Sequence, residues 1–164
     1  MSLSWPRLTI GRLASVAVGC VVLLLIIAPS RSESKSEDVE KLKGAIHKVI
    51  EDQESAWNQG KLEEFMAGYW KSDDLTFFSG DKKTKGWTAT LEGYKKRYQS
   101  EGKEMGKLSF SEVDINLIGG DDAIVRARWK LKFKDGKGVG GLFTLWMRKT
   151  PDGWKIVHDH TSAG

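Results

Sequence analysis

A chain of 164 residues with a net charge of +4 has room for one domain of ordinary size. Without Arg7 and Arg12 in the N-terminal segment the charge falls to +2, and no basic run with interleaved aromatics sits on a nucleic-acid-binding motif, so nucleic acid is excluded as a partner. The one cysteine, Cys20, excludes a disulfide framework.

Residues 1–30 are unlike the rest. Arg7 and Arg12 form a short basic region, Leu13 to Ala28 is uncharged, and Ala28-Pro29-Ser30 supplies small residues for cleavage. This is the layout of a signal peptide, or of an N-terminal membrane anchor if it stays uncleaved. The domain is then secreted or periplasmic in the first case, and membrane-anchored but outside the cytoplasm in the second. Cys20 lies inside the apolar run rather than after it, which argues against a lipid anchor there.

Residues 31–37, RSESKSE, read as a polar linker, and residues 38–164 as the folded domain. Ser34 with Glu37 fits a capping box for a first helix whose apolar stripe is Leu42, Ile46, Val49, Ile50 and Trp57, with Gln53 on the same stripe. Asn58-Gln59-Gly60 ends it with a left-handed cap signal. A short second helix carries Leu62, Phe65, Met66, Tyr69 and Trp70 on one face. Leu75 to Ser79 reads as a brief strand and Gly80 to Gly86 as a charged loop. A third helix spans about Thr88 to Gln99, with Gly93 inside it as a possible point of close backbone approach.

Strands follow. Leu108 and Phe110 are in one phase and Val113, Ile115 and Leu117 in the other, which predicts a β-bulge near Ser111-Glu112. Gly119 to Asp122 makes a hairpin turn. The next strand alternates apolar Val125, Ala127, Trp129, Leu131 and Phe133 with charged Arg126, Arg128, Lys130 and Lys132, a core face against a solvated one. Leu142 to Met147 is apolar on both faces apart from Thr144, so its outer side calls for a partner surface such as a second subunit. In the last strand, period-two spacing puts Trp154, Ile156, His158 and His160 on one face, a strand running from core into a polar pocket.

The segments AWNQGKLEEFMAGYW, SDDLTFFSG, GWTATLEGYKKRY, GLFTL and GWKIVHDHTS together resemble the SnoaL-like branch of the nuclear transport factor two-like superfamily. The resemblance implies an α+β fold: a cone of three N-terminal helices packed on a curved, mostly antiparallel β-sheet. It leaves function open, because the superfamily holds isomerases, cyclases and dehydratases as well as non-catalytic association domains. Laid on Asn58-Gln59-Gly60 and Asp73-Asp74, the ketosteroid isomerase pattern puts its tyrosine at Gln53 and its base at about Ser79. Neither residue can do that work, so ketosteroid isomerase activity itself is not expected.

The function expected is binding of a small, apolar or carbonyl-containing molecule in a cone-shaped pocket. Acid/base chemistry of the isomerase, dehydratase or cyclase type by His158 and His160 is one possibility, and a non-catalytic dimerisation module is the alternative. Gln53, Trp57, Tyr69, Trp70, Trp87, Tyr94 and Trp129 are the candidate ligand-binding residues. Both histidines could equally be hydrogen-bonded residues that organise the last strand. A metal would need further ligands beside them; His47, Asp73, Asp74 and Asp159 are available but not placed by the sequence, so no metal and no cofactor is assigned. The partners expected are an unidentified small molecule and a second copy of the chain across the sheet. A membrane enters only through an uncleaved N-terminal segment.

Overall fold

The computed structural model describes Met1 and residues 31–164, with side chains from residue 35 onward. The signal-peptide or anchor segment lies outside the described residues. Helix α1 spans Arg31–Asn58 and α2 is a single turn, Leu62–Met66. A hairpin of β1 (Thr76–Ser79) and β2 (Lys82–Lys85) precedes α3 (Trp87–Tyr98). Four long strands close the chain: β3 (Lys107–Ile118), β4 (Asp122–Lys132), β5 (Gly138–Thr150) and β6 (Gly153–Thr161). They form one six-stranded mixed sheet in the order β2-β1-β6-β5-β4-β3. Only β1 and β6 run parallel; every other pairing is antiparallel.

The expected α+β class holds, with three corrections. The helical layer is one 28-residue helix with a short α2, and α3 enters only after a hairpin, so the three helices are not an N-terminal group. Residues 31–37 are the first turns of α1 rather than a linker. The segment expected as a charged loop contains strand β2, held by pairing of Lys82–Lys85 with β1 rather than by any apolar alternation of its own. Among the described residues no helix is long and apolar enough to cross a membrane.

Helix α1 buries Ile46, Ile50, Gln53, Ala56 and Trp57, a stripe at helical spacing, against the inner face of the sheet. Its C-terminal turn also protects the open edge of β3. The Asn58 side chain donates to the Leu108 carbonyl (2.9 Å) and accepts from the Leu108 N–H (2.8 Å), while Glu54 accepts from the Phe110 N–H (2.7 Å). Side chains thus satisfy backbone groups that a further strand would otherwise pair.

The β3 bulge is present. Register shifts between Ser111 and Asp114, and Glu112 takes φ 55°. Strand β4 buries Val125, Ala127, Trp129 and Leu131 and exposes Arg126, Arg128, Lys130 and Lys132. In β5, Phe143, Leu145 and Met147 face the helices, while Leu142 and Trp146 on the opposite face remain 52% and 41% exposed. The doubly apolar strand is therefore covered on one side within the monomer.

Candidate functional site

A second bulge, in β6, decides which polar residues reach the interior. Trp146 of β5 pairs with His158, but the next residue, Met147, pairs with Ile156, so Val157 is extra. Up to Ile156 the other edge of β6 is held by the segment after α2: the Ile156 N–H donates to the Gly68 carbonyl and the Trp70 N–H to the Ile156 carbonyl, both at 2.9 Å. From His158 onward that edge pairs with β1. The extra residue falls where β6 changes partner, and it flips the phase. Trp154 and Ile156 point inward, and after the bulge so does Asp159.

His158 and His160 consequently do not continue the core face, and neither lines the cavity. Their register partners are Trp146 and Thr144, both on the exposed side of the sheet. His158 Nδ1 lies 2.6 Å from the Thr76 hydroxyl, and the edge of Phe78 packs 4.9 Å from its ring. Burial, with the neighbouring His160 charge, lowers the His158 pKa below the usual imidazole value. These contacts tie β6 to β1. The face shared by both histidines with Trp154 and Ile156 fails because the bulge lies between them.

Between the helices and the inner sheet face is a cavity of about 350 Å³. Of the expected ligand-binding residues, Gln53, Trp57, Tyr69, Tyr94 and Trp129 line it. Trp70 and Trp87 do not. Trp70 is anchored beside Ile156 by its backbone, and the Trp87 indole donates to the Met66 carbonyl (2.9 Å), fixing α3 to α2. Helical spacing put Trp70 and Tyr69 together, but the chain has left α2 by then, at Met66.

The walls are aromatic. Trp57 meets Phe65 and Tyr98 edge to face at 5.1 and 4.8 Å, and Tyr94 meets Phe65 and Phe77 in the same way at 5.4 and 5.6 Å. Gln53 is buried among them, its amide donating to the Phe65 carbonyl (3.1 Å). Gly68 gives that packing room, since a Cβ there would fall 2.8 Å from the Gln53 carboxamide carbon and displace the side chain. Gln53 therefore organises the wall from the position where the isomerase pattern would need a phenol.

Asp159 is 3% exposed and faces the cavity. It accepts hydrogen bonds from the Tyr69 hydroxyl (2.8 Å) and the Thr161 hydroxyl (2.6 Å). Burial drives its pKa up to about 6, against a smaller downward pull from those two hydroxyls and the His160 charge. Burial and the Asp159 charge push Tyr69 and Tyr94 well above the ordinary phenol value, so both stay protonated donors. A carboxyl that ionises near neutrality, flanked by phenols inside an apolar chamber, can take up and return a proton. Thr161, Ser79, Tyr98, Lys82, Arg97, Thr84 and Thr90 add further polar groups to the lining. The sequence carried one clue to Asp159: two consecutive apolar residues, Ile156-Val157, break alternation just as the phase change in β3 does.

The SnoaL-like domain family matches residues 46–164. No curated protein matches the chain. Among solved structures, a nuclear transport factor 2-like protein of unknown function from Shewanella oneidensis is similar at 35% identity, covering 78% of this chain and 98% of its own, with a TM-score of 0.64. A nuclear transport factor 2-like superfamily protein from Salmonella enterica shares the fold at 20% identity (76% and 92% covered, TM-score 0.62). A ketosteroid isomerase-like protein from Erwinia carotovora does so as well, also at 20% (73% and 94% covered, TM-score 0.59). The sheet with its inner cavity, the family match over most of the chain and the Shewanella relative agree: this chain belongs to the SnoaL-like family, within the nuclear transport factor 2-like superfamily.

Proposed function

We propose that the domain binds a small, largely apolar molecule bearing a carbonyl group in its cavity and that Asp159 performs proton transfer on it. The observation that carries this is the buried Asp159 carboxyl facing an aromatic cavity, with two hydroxyls rather than a cation as its partners. In the ionised form the carboxylate takes a proton from the carbon beside the carbonyl. The C–H electron pair moves into the enolate, and the carboxylic acid so formed returns the proton to the same or a conjugated carbon. No co-reactant is consumed. Tyr94, held protonated, supplies a donor for the enolate oxygen. Isomerase-type chemistry also fits the ketosteroid isomerase-like structural neighbour.

The test is exchange of the α-protons of 2-tetralone in D₂O, followed by NMR with the full chain. Exchange above the buffer rate that disappears in Asp159→Asn supports the reading. Exchange equal to buffer, or undiminished in Asp159→Asn, overturns it.

A second reading rests on a different face. Leu142, Trp146 and Ile118 lie on the outer side of the sheet, Ile118 being 56% exposed. This supports a homodimer across the sheet, and sedimentation of residues 31–164 tests it: a monomer at micromolar concentration contradicts it. The N-terminal layout supports a location outside the cytoplasm, for which a mature mass lacking about the first 30 residues is the check.

A further inference from the structure

The cavity lining carries charges of both signs. Among the described residues that line it, Asp159 is the one acidic group, and it is buried. Lys82 on β2 and Arg97 in the last turn of α3 also line the cavity, and both are exposed. Neighbouring cations are already engaged in ion pairs: Lys85 with Asp74 (3.0 Å) and Lys95 with Glu63 (3.0 Å). Lys82 and Arg97, by contrast, are in no ion pair among the described residues. The Arg97 guanidinium lies 5.3 Å from the centre of the Tyr98 ring, which itself lines the cavity. Stacking on a wall residue places a delocalised, weakly hydrated cation beside the apolar chamber.

We infer that the ligand is an amphipathic anion, a small aromatic or alicyclic carboxylate or similar acid, whose apolar body fills the cavity and whose anionic group is held at the mouth by Lys82 and Arg97. This rests on the reading of the cavity as a ligand site and adds the chemical class of the ligand and its orientation. The reverse orientation would bury an anion against the Asp159 carboxylate, a like-charge contact in a low-dielectric site. The correct one sets the anion in partly solvated surroundings and turns the opposite, carbonyl-bearing end toward Asp159. Arg97 offers a planar fork suited to a carboxylate, while Lys82 is a flexible point charge on the facing hairpin.

Two fluorescent probes with the same aromatic skeleton separate the terms: 8-anilinonaphthalene-1-sulfonate, and N-phenyl-1-naphthylamine, which lacks the sulfonate. Titrated into the full chain at low salt, the sulfonate should bind about fivefold tighter than the neutral probe. That preference should vanish in a Lys82→Gln, Arg97→Gln double variant and shrink with added salt, while neutral-probe affinity stays the same. Both side chains are exposed, so the variant keeps the fold. Equal affinities in wild type, or a sulfonate preference that survives in the double variant, overturn the inference and leave the cavity reading intact. If neither probe binds, or if both bind undiminished to Gly93→Phe, which fills the cavity, the cavity reading falls and this inference with it.

Discussion

The Tyr69 hydroxyl donates to the Asp159 carboxylate at 2.8 Å, joining the segment after α2 to the last strand 90 residues later. The pair exists because the Val157 bulge turns Asp159 inward directly after the point where Ile156 hydrogen-bonds to the Tyr69 segment. Backbone and side chain are fixed by the same junction, so the site's geometry and its proton chemistry depend on one another.

Stability should carry the signature of Asp159. In the unfolded chain the group ionises near its ordinary 3.8, in the fold at about 6. Between those values the native state keeps a proton that the unfolded state has lost, so stability falls as pH rises through the window, by on the order of 3 kcal/mol. Asp159→Asn removes this contribution. Chemical denaturation at pH 4 and pH 7 should show the variant gaining on wild type by about that amount between the two. An unchanged difference between the two proteins at both pH values would refute the buried titration.

Tyr69→Phe deletes one of the two hydroxyls that favour the ionised form of Asp159. Its carboxyl pKa should rise above about 6, and the fold should lose about 1–2 kcal/mol at neutral pH. A downward movement of the Asp159 titration would mean that the hydrogen bond does not act as described.

Gly93 lines the cavity from within α3, and a Cβ there would meet nothing within 4 Å. It is therefore not a point of close approach, as the sequence raised; it leaves room in the chamber at a cost to the helix. Gly93→Ala should stabilise the protein by about 1 kcal/mol, raising Tm by about 4 °C. Gly93→Leu should keep that stability and weaken ligand binding. A destabilised Gly93→Ala would contradict the open space.

Asn58 substitutes for a missing neighbour strand with two hydrogen bonds to Leu108. Asn58→Ala should cost about 2 kcal/mol in urea unfolding, since both backbone groups of Leu108 lose their partner. A loss below about 0.5 kcal/mol, the level of an ordinary surface change, would show that water replaces them freely.

Much of this was legible in the sequence, and the misses share a cause. Strand β4 read correctly because one face is core and the other charged, and the β3 bulge read correctly because its apolar phase visibly changes at Ser111-Glu112. Part of the aromatic wall followed from the first helical stripe, which carries Trp57. The β6 bulge was missed because Ile156 and Val157 are both apolar, so continuing the first phase through His158 looked natural. That single residue exchanged Asp159 for the histidines. Strand β2 was missed because Lys82-Lys83-Thr84-Lys85 forms by edge pairing alone, with no apolar face to mark it. Lys82 and Arg97 line one cavity only through tertiary packing of β2 and α3, a relationship that no local pattern encodes.

The most direct test is the ¹³Cγ NMR titration of Asp159 in the full chain, with and without 2-tetralone. An apparent pKa of about 6 is expected, moving when 2-tetralone is added because that ketone contacts the same carboxyl. Titration near the ordinary 3.8, indifferent to the ligand, would contradict it.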